Sequence, residues 1–297
     1  MGIRVNNRSP ITHYFIHLRP RSWAVVALHC AVGAIIAAPH EVFSSLSGFL
    51  GLIGASLLVA VGMNGGTLAL NSAFDNDIMD IGYLDNPPPP PRGLTSFGLG
   101  VMATGLILSI VFYNSMFVAV YAFCFILSII YSCPPFRIKA VAGGDIAINA
   151  AGYGALTPAA GYAAMAGTLS APMIVISLGF AFLFAAFYPL TQIYQYKYDK
   201  SRGDRTFCVW LGPQRALLFS LVMLVTAFYC NFYVLFRWRA SWIGGFMLLI
   251  SAMFLWLALI LRWIVRFKVF PHKQGMYEAL YLWGLVDVIV ILVFSGL

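Results

Sequence analysis

Long apolar runs alternate along this chain with short polar segments that carry nearly all of its charge. An α-helix rises 1.5 Å per residue, so about 20 mostly apolar residues cross a hydrocarbon layer ~30 Å thick. Nine such runs are read, near residues 22–39, 46–72, 93–113, 115–132, 141–165, 172–196, 215–236, 241–263 and 276–295. Pro158 does not interrupt the fifth, because glycine and proline are tolerated inside spanning helices. The pattern predicts an all-α membrane protein, with nine transmembrane helices forming a helical bundle. It predicts one domain over 1–297, of which 1–21 is a cytoplasmic N-terminal segment.

Composition agrees: the chain is 61% hydrophobic and 9% charged, against about 25% charged in soluble domains. That excludes a soluble domain of any size. Placing the N-terminus in the cytoplasm puts sixteen of the 18 lysines and arginines on that side, leaving Arg237 and Arg239 opposite. The positive-inside rule therefore orients the bundle. The net charge of +8 is spread over separate loops, which fits topology and not nucleic-acid binding. The first twenty residues are basic and lack an apolar core, so the first span is expected to act as an uncleaved anchor. The five cysteines, Cys30, Cys124, Cys133, Cys208 and Cys230, form no Cys-x-x-Cys pair and read as small apolar residues.

The acids are few and unevenly placed. Of the ten, Asp75, Asp77, Asp80 and Asp85 follow the second span and Asp199 and Asp204 follow the sixth; Asp145 opens the fifth. Carboxylates are costly at membrane depth, so acids gathered at helix ends point to a site. Asn71 and Asp75 are four apart and share a helix face. Asp77 and Asp80 share another face or lie in the turn that ends the helix. Gln192, then Gln195 or Tyr196, then Asp199 fall at near-helical spacing. Two facing helices bearing these oxygens could hold Mg²⁺, which takes oxygen ligands and often completes its shell with phosphate oxygens. Too few carboxylates are present for a closed protein cage, which favours a metal shared with a phosphorylated substrate. Arg19, Arg92, Arg137, Lys139 and Arg205 lie on the same side, and a metal with arginine and lysine is a usual clamp for a diphosphate. Asp145 and Asn149, four apart, either pair with Arg137 and Lys139 or shape the site. The proline run Pro87–Pro91 is a stiff polyproline II connector, which either only links two helices or also sets Arg92 beside the acids.

In its motifs and their order the chain resembles the UbiA superfamily of intramembrane prenyltransferases over almost its whole length. That family carries Asn-Asp-x-x-Asp-x-x-x-Asp after its second helix, which Asn71 and Asp75 match in part. An Asp-rich motif follows its sixth helix, matched here by Asp199-x-x-x-Gly203-Asp204-Arg205-Thr206 and the later Leu211-Gly212. Leu18, Arg19 and Pro20 before the first span, and the segment from Tyr131 to Lys139, also look like the family's. Ser72, Met79 and Gln192 depart from it, each standing where an acid is usual. The polyproline run replaces an Arg-Pro turn.

The resemblance implies a Mg²⁺-dependent enzyme acting on an allylic prenyl diphosphate. Asp75 and Asp199 would be the catalytic acids, and Asn71, Asp75, Asp77, Asp80, Gln192 and Asp199 would surround the metal. Arg19, Arg92, Arg137, Lys139 and Arg205 would bind diphosphate, with Tyr153, Tyr188, Tyr194 and Tyr198 in the substrate cavity. Ionisation of the C–O bond would release pyrophosphate, and the allylic cation would alkylate an aromatic or other small lipophilic acceptor. A terpene cyclase of the same family, needing no acceptor, is the alternative. A transporter is a third reading, disfavoured because the acids gather at one interface instead of the midplane. Gln192 would give a metal a neutral oxygen, or else hydrogen-bond a neighbouring helix.

Overall fold

The computed structural model describes residues 10–75, 81–85, 87–239 and 243–295. Its helices, in chain order, are α1 (Pro10–His17), α2 (Trp23–Ala37), α3 (Pro39–Ser44), α4 (Leu46–Leu57), α5 (Gly66–Asp75), α6 (Leu94–Phe112) and α7 (Ser115–Ser132), followed by α8 (Gly144–Asn149), α9 (Thr157–Ala166), α10 (Ala171–Arg202), α11 (Phe207–Leu211), α12 (Pro213–Trp238), α13 (Ile243–Val265) and α14 (His272–Phe294). Two π-helical segments, Leu58–Gly65 and Ala150–Leu156, join α4 to α5 and α8 to α9.

Among the described residues, eight helical runs are long and apolar enough to cross a membrane, not the nine expected. The difference is the expected 141–165 span. It forms the composite run α8, π segment and α9, rich in glycine and alanine, and it is not one of the eight. Pro158 sits in the first turn of α9, where its missing N–H costs little.

Helix ends follow local chemistry. Asn114 caps α7 by accepting from Phe117 N at 3.0 Å, and Ser170 caps α10 by accepting from Met173 N at 3.3 Å. The 32-residue α10 stops where Gly203 adopts a left-handed conformation (φ 77°). The composite run packs on α2 through glycines. A Cβ on Gly33 would lie 1.8 Å from the Pro158 carbonyl oxygen, and one on Gly161 1.8 Å from that of Cys30. Small residues let helix backbones approach where lipid provides no hydrophobic drive.

The apolar core falls into two main parts. One lies between α10, α12, α13 and α14; the other lies among α4 to α7 and α9. The first and last long helices meet at a buried pair that the acid clusters give no hint of. His29 Nδ1 on α2 lies 2.8 Å from Asp287 Oδ1 on α14, and His29 Nε2 lies 3.2 Å from the Gly154 carbonyl oxygen of the second π segment.

Candidate active site

Between α2, α5, α10, α14 and the second π segment lies a cavity of about 280 Å³. Along α10 its lining runs from Phe184 to Arg202, about 25 Å at the helical rise. One end is charged, lined by Arg19, Asn71, Asp75, Lys139, Asp199, Arg202 and Asp204. The other is aromatic, with Tyr153 stacked on Phe184 (centroids 5.6 Å apart) and Trp283 packed edge-on to Phe184 at 5.5 Å.

The two π segments form part of this wall. Each is wound with hydrogen bonds spanning five residues instead of four, which shifts the side-chain register, a feature frequent at functional sites. Asn64, from the first, accepts a hydrogen bond from the hydroxyl of Tyr153, from the second, at 3.0 Å, and donates to Ser22 Oγ at 2.9 Å. The Tyr131 and Tyr188 hydroxyls, both in the cavity lining, hydrogen-bond to each other at 2.6 Å.

Asp75, at the C-terminus of α5, is the hub of the charged end. Its Oδ1 lies 2.7 Å from Lys139 Nζ, 3.1 Å from Arg202 Nη2 and 3.3 Å from Arg137 Nη2. Asp204 binds Arg202 at 3.2 Å and faces Arg137 at 3.7 Å. Lys139 also donates to Asn71 Oδ1 at 2.8 Å, which accepts from Ser132 Oγ as well. Three non-glycine residues among those described have positive φ, Arg19 (50°), Tyr83 (66°) and Arg137 (39°), and all three belong to this end. Such conformations cost energy and persist where surrounding contacts hold them. Arg19 is held by Ser72 Oγ at 3.1 Å and the Gly82 carbonyl at 3.3 Å. Tyr83 lines the mouth, where burial pushes its phenol above the ordinary range and keeps it protonated.

The structure thus brings together Asn71, Asp75, Asp199, Arg19, Arg137, Lys139, Tyr153, Tyr188, Tyr194 and Tyr198. Asp77 and Asp80 lie outside the described residues. Three expectations are revised. Arg92 is exposed and away from the cavity, with Tyr14 hydroxyl donating to its carbonyl, so the proline run serves as a connector. Arg205 is exposed, and its backbone bridges to Val141. Gln192 lines the cavity, but both ends of its amide are engaged: Nε2 donates to Asp145 Oδ2 at 2.6 Å and Oε1 accepts from Cys208 N at 3.1 Å. Its amide is thus hydrogen-bonded to two neighbouring elements, the second of the two readings open to it. Asp145 likewise does not pair with Arg137 or Lys139; it accepts from Gln192 and from backbone N–H groups.

Sequence reasoning missed Arg202, although it lies three residues after Asp199 on the same helix face, a spacing that should have included it. It counted Asp204 among the motif acids without giving it a role, and overlooked Asp287, an acid inside an apolar run and therefore a residue to ask about.

The donor set suits a hard cation. The carboxylates of Asp75 and Asp199 approach one cavity from the ends of two helices, and their ligand atoms are oxygens. Among the described residues no three His, Cys, Asp or Glu side chains lie close enough to enclose a metal. These residues fit a divalent ion held through oxygen ligands.

A rim of acids and cations thus lies over an apolar cavity inside a bundle of helices long enough to cross a membrane. The profile of the UbiA prenyltransferase family matches residues 26–269, and the chain belongs to that family. Among solved structures it is similar to a UbiA homolog from Archaeoglobus fulgidus. The form bound to GPP and Mg²⁺ is 22% identical, with TM-score 0.67 and coverage of 95% of this chain and 99% of the other. The form bound to DMAPP and Mg²⁺ is 23% identical, with TM-score 0.69 and coverage of 96% and 99%. A digeranylgeranylglyceryl phosphate synthase structure is 16% identical, with TM-score 0.65 and coverage of 96% and 97%. At these identities the likeness establishes the fold. No functionally curated protein matches the chain.

Proposed function

We propose that this protein is a Mg²⁺-dependent intramembrane prenyltransferase that ionises an allylic prenyl diphosphate and passes the prenyl group to an aromatic or other small lipophilic acceptor, releasing pyrophosphate. The observation that carries the reading is the polarity of one cavity. Three carboxylates, Asp75, Asp199 and Asp204, and three cations, Arg19, Lys139 and Arg202, line the end from which an aromatic-walled apolar channel descends. A prenyl diphosphate has that polarity. The A. fulgidus homolog of similar fold binds such diphosphates with Mg²⁺.

Asp75 and Asp199 would hold the metal, which supplies charge neutralisation of the departing diphosphate. Lys139, Arg202 and Arg19 bind diphosphate oxygens, and Arg137 closes the outer edge. Asn71, with its oxygen accepting from Lys139, orients that ammonium. In the absence of substrate Asp75 itself neutralises these cations, so the anion site holds no bare cluster of positive charge. Below the rim, Tyr188, Tyr153 and Phe184 face the cavity and offer π surfaces, each worth ~0.5–2 kcal/mol to a nearby cation. The apolar wall keeps water from the reactive carbon. The mouth faces the cytoplasm, in keeping with the basic residues around it, and 1–297 acts as one membrane domain.

The test is pyrophosphate release by purified protein in nanodiscs, supplied with prenyl diphosphates of graded length and Mg²⁺, with and without aromatic acceptors. Acceptor-dependent release of pyrophosphate, abolished by EDTA, is expected. Release with a cyclised hydrocarbon as product in the absence of acceptor would make the protein a terpene cyclase. Full activity after exhaustive EDTA treatment, or no release with any allylic diphosphate, would overturn the reading.

A further inference from the structure

Two polar side chains beside the site, Asp145 and Gln192, are almost completely buried, at 0% and 4% exposure, and neither is used by the chemistry above. Asp145 opens α8, yet no lysine or arginine among the described residues forms an ion pair with it. Its carboxylate is instead filled by four N–H donors. Oδ1 accepts from Gly143 N and Ile146 N, both at 2.9 Å; Oδ2 accepts from Phe207 N at 2.8 Å and Gln192 Nε2 at 2.6 Å. A carboxylate offers about four lone-pair positions, so its capacity is used. Gln192 then passes the connection on, its Oε1 accepting from Cys208 N at 3.1 Å.

We propose that Asp145 and Gln192 act as one positioning unit that sets the two halves of the diphosphate-binding rim relative to each other. The first three backbone N–H groups of α11 show what is joined. Phe207 donates to Asp145 on α8, Cys208 to Gln192 on α10, and Val209 to Thr206 Oγ1 at 3.4 Å. Helix-terminal N–H groups need partners; here side chains from two other elements provide two of the three. The end of α10 carries Arg202 and the turn that leads from it into α11 carries Asp204; the loop before α8 carries Arg137 and Lys139. A backbone bridge from Val141 to Arg205 runs alongside. The cations that meet Asp75 therefore come from two segments whose shared anchor is this carboxylate and amide. A buried carboxylate without a cation is costly, and satisfying every one of its lone pairs with a fixed donor is what makes the junction rigid.

The proposal rests on the diphosphate reading, so its test begins with the native chain. Calorimetric titration of nanodisc-embedded protein with inorganic pyrophosphate and Mg²⁺ reads that first; absence of binding there overturns the diphosphate reading itself. Given native binding, Asp145→Asn, assayed well below its unfolding midpoint, is expected to bind pyrophosphate with Mg²⁺ at least tenfold more weakly. Its new NH₂ would face two donors, Phe207 N and Gln192 Nε2. Adding Gln192→Glu rebuilds one carboxylate–amide contact and removes one of those clashes, so the double variant should recover part of the affinity. If Asp145→Asn does not fold, Gln192→Met, which retains the carboxylate but cuts the link, should show the same loss. Native affinity in the folded single variants, with only the unfolding midpoint lowered, would reduce the unit to a stabilising cap and overturn the proposal. So would a double variant no better than Asp145→Asn, or a Gln192→Asp variant that binds Mg²⁺ more tightly without pyrophosphate, which would return Gln192 to the metal.

Discussion

Replacing Asp75 with asparagine should separate anion binding from turnover. In the native chain this one carboxylate holds Lys139, Arg202 and Arg137 within 2.7–3.3 Å. Asparagine has the same shape and no charge, so the variant leaves three cations facing each other. Asp204 remains beside two of them, at 3.2 Å from Arg202 and 3.7 Å from Arg137, and the arginines are partly exposed. The stability loss is therefore held to about 1–3 kcal/mol. An incoming phosphate charge about 6 Å from Asp75 is repelled by roughly 3 kcal/mol at an effective dielectric constant near 20. Partial screening reduces this. In EDTA the variant should bind pyrophosphate about ten- to a hundredfold more tightly than the native chain, since 1.4 kcal/mol is tenfold. With Mg²⁺ and substrate, turnover should fall at least a hundredfold, because one of two metal-holding acids is gone. Calorimetric pyrophosphate titration in EDTA, with product assays on the same preparation, measures both. Equal or weaker metal-free binding by Asp75→Asn would refute the claim that this carboxylate competes with substrate for the cations.

Arg202→Ala should raise the KM for prenyl diphosphate tenfold or more, whereas Arg92→Ala should leave it within twofold; a larger effect from Arg92 would contradict its place outside the cavity. Asp287→Ala removes the Nδ1 partner of the buried His29 and should cost about 1–3 kcal/mol, the usual consequence of leaving a buried polar group unpaired, read as a lowered unfolding midpoint in detergent, with no change in pyrophosphate affinity of the folded protein. Gly33→Ala drives a methyl group into the Pro158 carbonyl and should prevent stable accumulation, while Gly100→Ala, which meets nothing within 4 Å, should be tolerated; similar fluorescence-detected size-exclusion profiles for the two would refute the packing argument.

Much of this architecture was open to reading without a structure. Membrane insertion is decided by the free energy of transferring each run of side chains, and that depends on local composition. The apolar runs and the helical class follow directly. The composite helix of 144–166 was the exception, because its role depends on glycine and alanine contacts with α2 more than on its own hydropathy. At the site, Asp75, Asp199, Lys139 and Arg19 were legible because acids and cations at apolar-helix ends are conspicuous against a chain with 9% charged residues.

Partnership was not legible, since it depends on distance in space. Arg92 and Arg205 resemble Arg137 and Arg202 in a list of basic loop residues; only the packing of the loop before α8 against the end of α10 separates those that reach Asp75 from those that face solvent. Gln192 sits at a ligand's position in the helical register, yet the fold brings Asp145 and the start of α11 to its two amide atoms before any ligand arrives. His29 and Asp287 lie 258 residues apart in the chain. Each alone is an unfavourable residue in an apolar run. Closure of the bundle makes them a pair, because a buried polar group is tolerated only where the tertiary structure supplies its hydrogen-bond partner.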